Sequence, residues 1–165
     1  MKRIISTLIA TLFCCILFTG CGNPPTKEQA QSFAVYSFSG ENEQFKISNG
    51  VVVLTSTKEI LYGGNLKINQ EKFTDITAYS MEFYLLSDGK KEILLSNAAT
   101  DKTGSTIDIY GEIGKISRDV ISNITADHLE NNLYFELKTT NSKGEKNKYQ
   151  LKMDVIDITK KNDTN

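Results

Sequence analysis

The chain has 165 residues, with 19 basic and 20 acidic side chains, a net charge of −1 and a single histidine. That length predicts one domain with a real core, and the charge balance excludes the basic footprint of a nucleic-acid-binding protein. Cys14, Cys15 and Cys21 all fall in the first 21 residues. The rest of the chain therefore holds no disulfide framework, no cysteine zinc cluster and no cysteine nucleophile.

Lys2 and Arg3 precede Ile4 to Phe18, an apolar run broken only by Ser6, Thr7 and Thr11. A membrane-spanning helix needs about 20 apolar residues, and this run is shorter. A charged start, a short apolar stretch and small residues at its end are the parts of a secretory signal. Leu17-Phe18-Thr19-Gly20-Cys21 resembles the lipobox of bacterial lipoproteins, in which a small residue precedes the cysteine that is processed. Cys14 follows Phe13 and Cys15 follows Cys14, so only Cys21 has a small residue, Gly20, before it. The resemblance implies that residues 1–21 form a signal peptide ending at Cys21. It also implies that Cys21 carries a diacylglycerol thioether, with two acyl chains giving a stable anchor where one is marginal. The expected location is the extracytoplasmic face of the cell membrane, reached through the lipid, with no other cofactor.

Residues 22–165 then carry 17 basic and 20 acidic side chains, Lys2 and Arg3 having left with the signal. Residues 22–32 read as a flexible tether, because Pro24 and Pro25 lack the N–H that a helix or inner strand needs. From Phe33 the pattern is that of strands. Phe33 to Ser39 is rich in β-formers, and Phe45 and Ile47 share a face before Asn49-Gly50, a two-residue hairpin signal. Val51 to Thr57 follows, then Glu59 to Tyr62 and Leu66 to Ile68 around Gly63-Gly64, a bulge or turn. Tyr79, Met81, Phe83 and Leu85 alternate with Ser80, Glu82, Tyr84 and Leu86, and Asp88-Gly89 turns the chain into Glu92 to Ser96.

Thr106 to Tyr110 and Glu112 to Ile116 read as short strands around Gly111. Ser122 to Asn132 accommodates a turn of helix capped by Thr125, with Asp127 and His128 early in it. Leu133, Phe135, Leu137 and Thr139 alternate inward, and Tyr149, Leu151, Met153 and Val155 return after Asn141 to Gly144. Residues 160–165 form a polar tail. Turn signals every 8–14 residues predict an all-β domain over residues 33–159, an immunoglobulin-like antiparallel sandwich of about 7–9 strands. A lipocalin-like barrel carrying a small apolar ligand is the alternative. Phe38-Ser39-Gly40-Glu41-Asn42-Glu43-Gln44-Phe45-Lys46, Tyr62-Gly63-Gly64-Asn65-Leu66 and Tyr149-Gln150-Leu151 look like segments of small β-sandwich lipoproteins of low-GC Gram-positive bacteria. That likeness implies a sandwich and supplies no activity.

No catalytic or metal residues are assigned. Asp101-Lys102-Thr103-Gly104-Ser105 resembles the phosphorylation loop of P-type ion pumps. That chemistry needs an α/β domain, Mg²⁺ ligands and ATP on the same side of the membrane, so these residues read as loop geometry. His128 has no Gly-x-Ser-x-Gly elbow to serve, which disfavours a hydrolase. Glu41 and Glu43, two apart, are weak acidic candidates for acid–base work or for holding sugar or Ca²⁺. Tyr84, Leu86 and Tyr134 fall on polar faces of two strands; exposed aromatics there would form a binding patch, whereas central strands partly covered on both sides are the favoured reading. The expectation is a non-catalytic binding or structural module for a protein, peptide or cell-wall polymer.

Overall fold

The structure is a computed structural model that describes residues 33–101, 103, 107–119 and 126–159. The expected signal with Cys21, the tether, the Thr125 cap and the polar tail lie outside the described residues.

Among the described residues, period-two alternation produces eleven strands: β1 (Ala34–Glu41), β2 (Phe45–Leu54), β3 (Lys58–Tyr62), β4 (Asn65–Ile68), β5 (Ile76–Ser87), β6 (Lys90–Thr100), β7 (Gly111–Glu112), β8 (Lys115–Asp119), β9 (Leu133–Asn141), β10 (Lys146–Lys152) and β11 (Asp154–Asp157). Among the described residues one α-helix, α1 (Ala126–Asn132), carries Asp127 in its first turn, and a 3-10 turn spans Gln70–Lys72. The strands form two antiparallel sheets. One has the order β11-β1-β2-β3-β8, with β4 on β2 and β7 on β4; the other is β10-β9-β5-β6. The all-β sandwich is therefore present, and no barrel closes: the barrel alternative is corrected by two separate sheets, each with its own edge strands. The segments exceed seven to nine because short pieces such as the two-residue β7 pair on their own. β1, β2 and β3 are successive neighbours in one sheet, whereas immunoglobulin domains divide their strands ABED and CFG.

Aromatic rings join the sheets. Phe38 of β1 meets Phe83 of β5 edge-on at 5.1 Å, Phe45 of β2 meets Phe135 of β9 at 5.4 Å, and Phe83 lies 5.0 Å from Phe135. Each of these rings, buried from water, contributes about 2–3 kcal/mol, and leucine, isoleucine and methionine side chains fill the space around them. At one edge of the sandwich Arg118 Nε donates to Glu59 Oε2 at 2.8 Å and Arg118 Nη2 lies 3.9 Å from Glu92 Oε1, tying β8, β3 and β6 together.

Asn49-Gly50 is not a hairpin turn; it lies inside β2. Asn49 adopts φ 59°, a left-handed kink, and β2 changes partner there. Its first half, Phe45 to Ser48, pairs with β4, and its second half, Val51 to Leu54, pairs with β3. Packing overrode the local turn signal. Gly50 sits opposite Phe38, and a Cβ there would overlap the Phe38 ring. The turn comes earlier, at Asn42, whose Oδ1 accepts from the N–H groups of Gln44 and Phe45, both at 2.9 Å. Replacing Asn42 with Ala removes both bonds and is expected to lower stability by about 1–2 kcal/mol, read as a shift in the denaturant midpoint.

Residues 107–110 are not a strand, contrary to the alternation, because Ile109 is drawn into the core at 1 % exposure. Ile113, buried to 2 %, likewise separates β7 from β8, and its N–H donates to Gly64 O at 3.0 Å. Asp88-Gly89 is the expected two-residue hairpin, with φ 49° and 73°.

Candidate binding face

The outer face of the β10-β9-β5-β6 sheet is where the sequence candidates and the most organised electrostatics coincide. Three cross-strand rows build it. Lys148, Lys138, Ser80 and Ala98 form one, Gln150, Glu136, Glu82 and Ser96 the next, and Lys152, Tyr134, Tyr84 and Ile93 the third. A β-bulge in β6 sets the third row. Phe83 faces Leu95 while Tyr84 faces Ile93, so Leu94 is an extra residue. Leu94 and Leu95 are both buried, and Lys91 is brought opposite Leu86 on the outer face.

Glu136 is the centre. Its side chain is 3 % exposed although it faces away from the core. A buried carboxylate is costly unless charge and hydrogen bonds compensate it. Oε1 accepts from Lys91 Nζ at 3.1 Å and Lys138 Nζ at 3.0 Å, and Oε2 accepts from Lys148 Nζ at 2.9 Å. Burial pushes the Glu136 carboxyl up, but the bonds from Lys148, Lys138 and Lys91 and the Lys91 charge outweigh it and hold the pKa at about 2. Lys91 also donates to Glu82 Oε2 at 2.5 Å and stands 4.1 Å above the Tyr84 ring. Burial lowers the Lys91 pKa, and its bonds to Glu82 and Glu136 more than reverse this, leaving it above the ordinary lysine value.

The three apolar candidates do come together in part. Tyr84 and Tyr134 stack at 5.7 Å with a 16° interplanar angle. The patch is not an exposed aromatic one, however. Tyr84 is 2 % exposed, its hydroxyl accepts from Gln150 Nε2, and Tyr134 and Leu86 are half-buried. The ring is a buried base for Lys91, and the lysine covers it.

Beside this cluster the face sinks into a groove of about 440 Å³. Ala78, Ser80 and Ala98 form its floor, and Lys138, Lys146 and Lys148 stand on the β9–β10 side. Small side chains make the depression, and the lysines give it a positive wall. Lys138 and Lys148 keep further N–H donors beyond their bonds to Glu136, and their side chains are 49 % and 59 % exposed.

The other sequence candidates do not converge. Glu41 pairs with Lys46 at 2.7 Å and Glu43 with Lys72 at 3.5 Å, each at the surface. Asp101 accepts from the Thr103 amide at 2.9 Å and from its hydroxyl at 2.8 Å, which is turn geometry. Lys102, Gly104 and Ser105 lie outside the described residues. His128 sits half-buried on α1. Among the described residues no group of three His, Cys, Asp or Glu is placed to hold a metal, and no helix is long and apolar enough to cross a membrane. Sequence reasoning missed Glu136, Lys91, Lys138 and Lys148. Their one local signal is a charge on the polar side of each alternating strand, which a solvated face produces equally well. No protein-family model, curated protein or solved structure matches the chain.

Proposed function

We propose that the chain is an extracytoplasmic lipoprotein, held to the cell membrane by a diacylglycerol thioether on Cys21, whose sandwich is a non-catalytic binding module. The resemblance of Leu17 to Cys21 to a lipobox supports the anchor. The lysine-walled groove on the β10-β9-β5-β6 face carries the binding assignment. In a domain whose residues 22–165 hold more acidic than basic side chains, lysines gathered along one groove favour an acidic ligand. A peptide segment, a protein loop or a cell-wall polymer with negative charges meets that requirement.

Ala98→Leu with Lys146→Glu tests the groove without touching the partners of Glu136. The first fills the floor and the second reverses charge on the wall. Full chain extracted from membranes of its own cells is expected to retain an envelope ligand, and the double variant to weaken that retention at least about tenfold, or ~1.4 kcal/mol. Equal retention by both chains contradicts the groove. Cys21→Ser is expected to move the protein from the membrane to the soluble fraction, and unchanged sedimentation contradicts the anchor.

A further inference from the structure

The groove runs out to a sheet edge. β10 is the outermost strand of the β10-β9-β5-β6 sheet, and among the described residues no strand pairs with its far side. The ladder to β9 fixes which groups face outward. Asn141 N donates to Glu145 O at 3.1 Å, and Met153 N donates to Leu133 O at 2.9 Å. Lys148 lies opposite Lys138 in the register between these two ends. The positions of β10 bonded to β9 are therefore Asn147, Tyr149 and Leu151. In an antiparallel ladder the residues between bonded positions turn both N–H and C=O to the other side. Lys146, Lys148 and Gln150 thus present their backbone groups along the free edge. Their side chains are exposed, and Lys146 and Lys148 stand on the wall of the groove.

The two edges of this sheet differ. β6 carries the Leu94 bulge, its Asn97 Nδ2 donates to Ile113 O at 3.2 Å, and its Glu92 lies 3.9 Å from Arg118 Nη2. That edge is bent and partly covered from the other sheet. β10 has no Gly, no Pro and no shift of register against β9. Its inner side is held in place, with the Tyr149 ring 5.1 Å from Phe73 and Leu151 packed against the core. A regular open edge is a template for another strand, and lysines along it are a common guard. The guard works against a second copy of β10, because lysine would face lysine. Against a strand of opposite charge the same lysines attract.

We infer that an extended acidic segment of a partner protein adds to β10 as a fifth, antiparallel strand of the four-stranded sheet, with acidic side chains at alternate positions set against Lys146 and Lys148. The added strand presupposes the acidic ligand of the groove and narrows it to a peptide held by its backbone. Main-chain bonds to the edge supply affinity, and the alternate side chains supply selectivity. Residues directly opposite each other in an antiparallel pair share a face, so the acidic side chains lie at the rim of the groove, where Lys138 and Lys148 keep further donors. The peptide N–H groups bonded to β10 belong to those acidic residues, and the N–H groups between them face solvent.

The test uses the full chain extracted from membranes and an acetylated, amidated peptide of alternating Glu and Thr. On saturation with the peptide, hydrogen exchange read at single amides is expected to slow at least about tenfold at Lys148 and Gln150, while Tyr149 and Leu151, already bonded to β9, change little. The same peptide N-methylated at every Glu is expected to bind at least about tenfold more weakly, and the peptide N-methylated at every Thr to bind as the parent does. All three peptides carry the same charge, so attraction to lysine alone would not separate them. Equal binding of the two methylated peptides, or binding without slowed exchange at Lys148 and Gln150, overturns strand addition. So does failure of the parent peptide to bind. Exchange at these amides that is slow before any peptide is added, and slower at higher protein concentration, places a second copy on the edge and overturns it as well. The groove reading is decided separately, by envelope retention in the Ala98→Leu, Lys146→Glu variant.

Discussion

Gly64→Ala is expected to cost about 4 kcal/mol. Gly64 joins β3 to β4 at φ 75°, a region in which an L-residue is strained by about 1–3 kcal/mol. Space is the second problem. A Cβ there would overlap the carbonyl oxygen of Ser48 and lie 2.7 Å from Gly50 N and 2.9 Å from Asn49 C. These are backbone atoms of the kink where β2 changes partner, so no side chain can swing aside, and overpacking adds about 1–3 kcal/mol. Gly89→Ala is the matched control. Its φ is 73° and a Cβ would meet nothing within 4 Å, so it carries the strain alone, about 1 kcal/mol. Denaturant midpoints with unchanged slopes separate the two. Equal losses would mean that the β2 kink yields and that the close approach of the two chain segments is unimportant to stability.

Glu136→Gln is expected to cost about 1–3 kcal/mol at neutral pH and to flatten the acid limb of the stability–pH curve. Glu136 titrates at about 2 in the folded chain against an ordinary 4.5. A depressed carboxylate stabilises fully above its unfolded value and progressively less as pH falls through the folded one. The contribution is therefore complete above about pH 5 and is lost toward pH 2, and a shift of this size corresponds to about 3 kcal/mol. Lys91, Lys138 and Lys148 are 30 %, 49 % and 59 % exposed, so solvent screening reduces the contribution below that figure. Lys91 works at the other end of the pH scale. Its raised pKa contributes below the ordinary lysine value and is lost as pH climbs past it. An uncharged amide in place of the Glu136 carboxylate would leave Lys91, Lys138 and Lys148 without the charge they surround, and the acid limb of a stability–pH curve is expected to flatten. An acid limb as steep as the parent's would place the sensitivity in other carboxylates.

Gly63-Gly64 was legible as a turn, but the backbone that crowds Gly64 and the lysines that gather on Glu136 were not. Asn49-Gly50 is a strong hairpin signal, yet the structure uses it as a kink, because the glycine is needed under Phe38 and the left-handed asparagine lets one strand serve two partners. Asp88-Gly89, with nothing packed on it, behaves as its residues predict. Turn chemistry decides geometry where the chain is free, and packing decides it where the core intervenes. The same holds for Ile109 and Ile113, which alternation assigns to strands and the core claims individually.

Tyr84, Leu86 and Tyr134 were legible as a group because period-two alternation puts each on the polar side of its strand, and β5 and β9 pair Tyr84 directly with Tyr134. Their burial agrees with the reading of central strands covered on both sides, but its means was not legible. It depends on Lys91 lying over the Tyr84 ring, which follows from the Leu94 bulge, and on Glu136 gathering lysines from β6, β9 and β10.

Alternation and turn residues, read along the chain, were enough to determine an all-β domain, most of its strands and the side of each that turns inward, because those properties depend on neighbours two residues apart. The lipobox-like Cys21 belongs to the same local class. Which strands pair, where β2 and β6 break their alternation, and that a carboxylate sits buried among three lysines were decided only by tertiary structure. Each of these depends on residues dozens of positions apart meeting across a sheet, and the free energy that selects them is realised only when both sheets are in place.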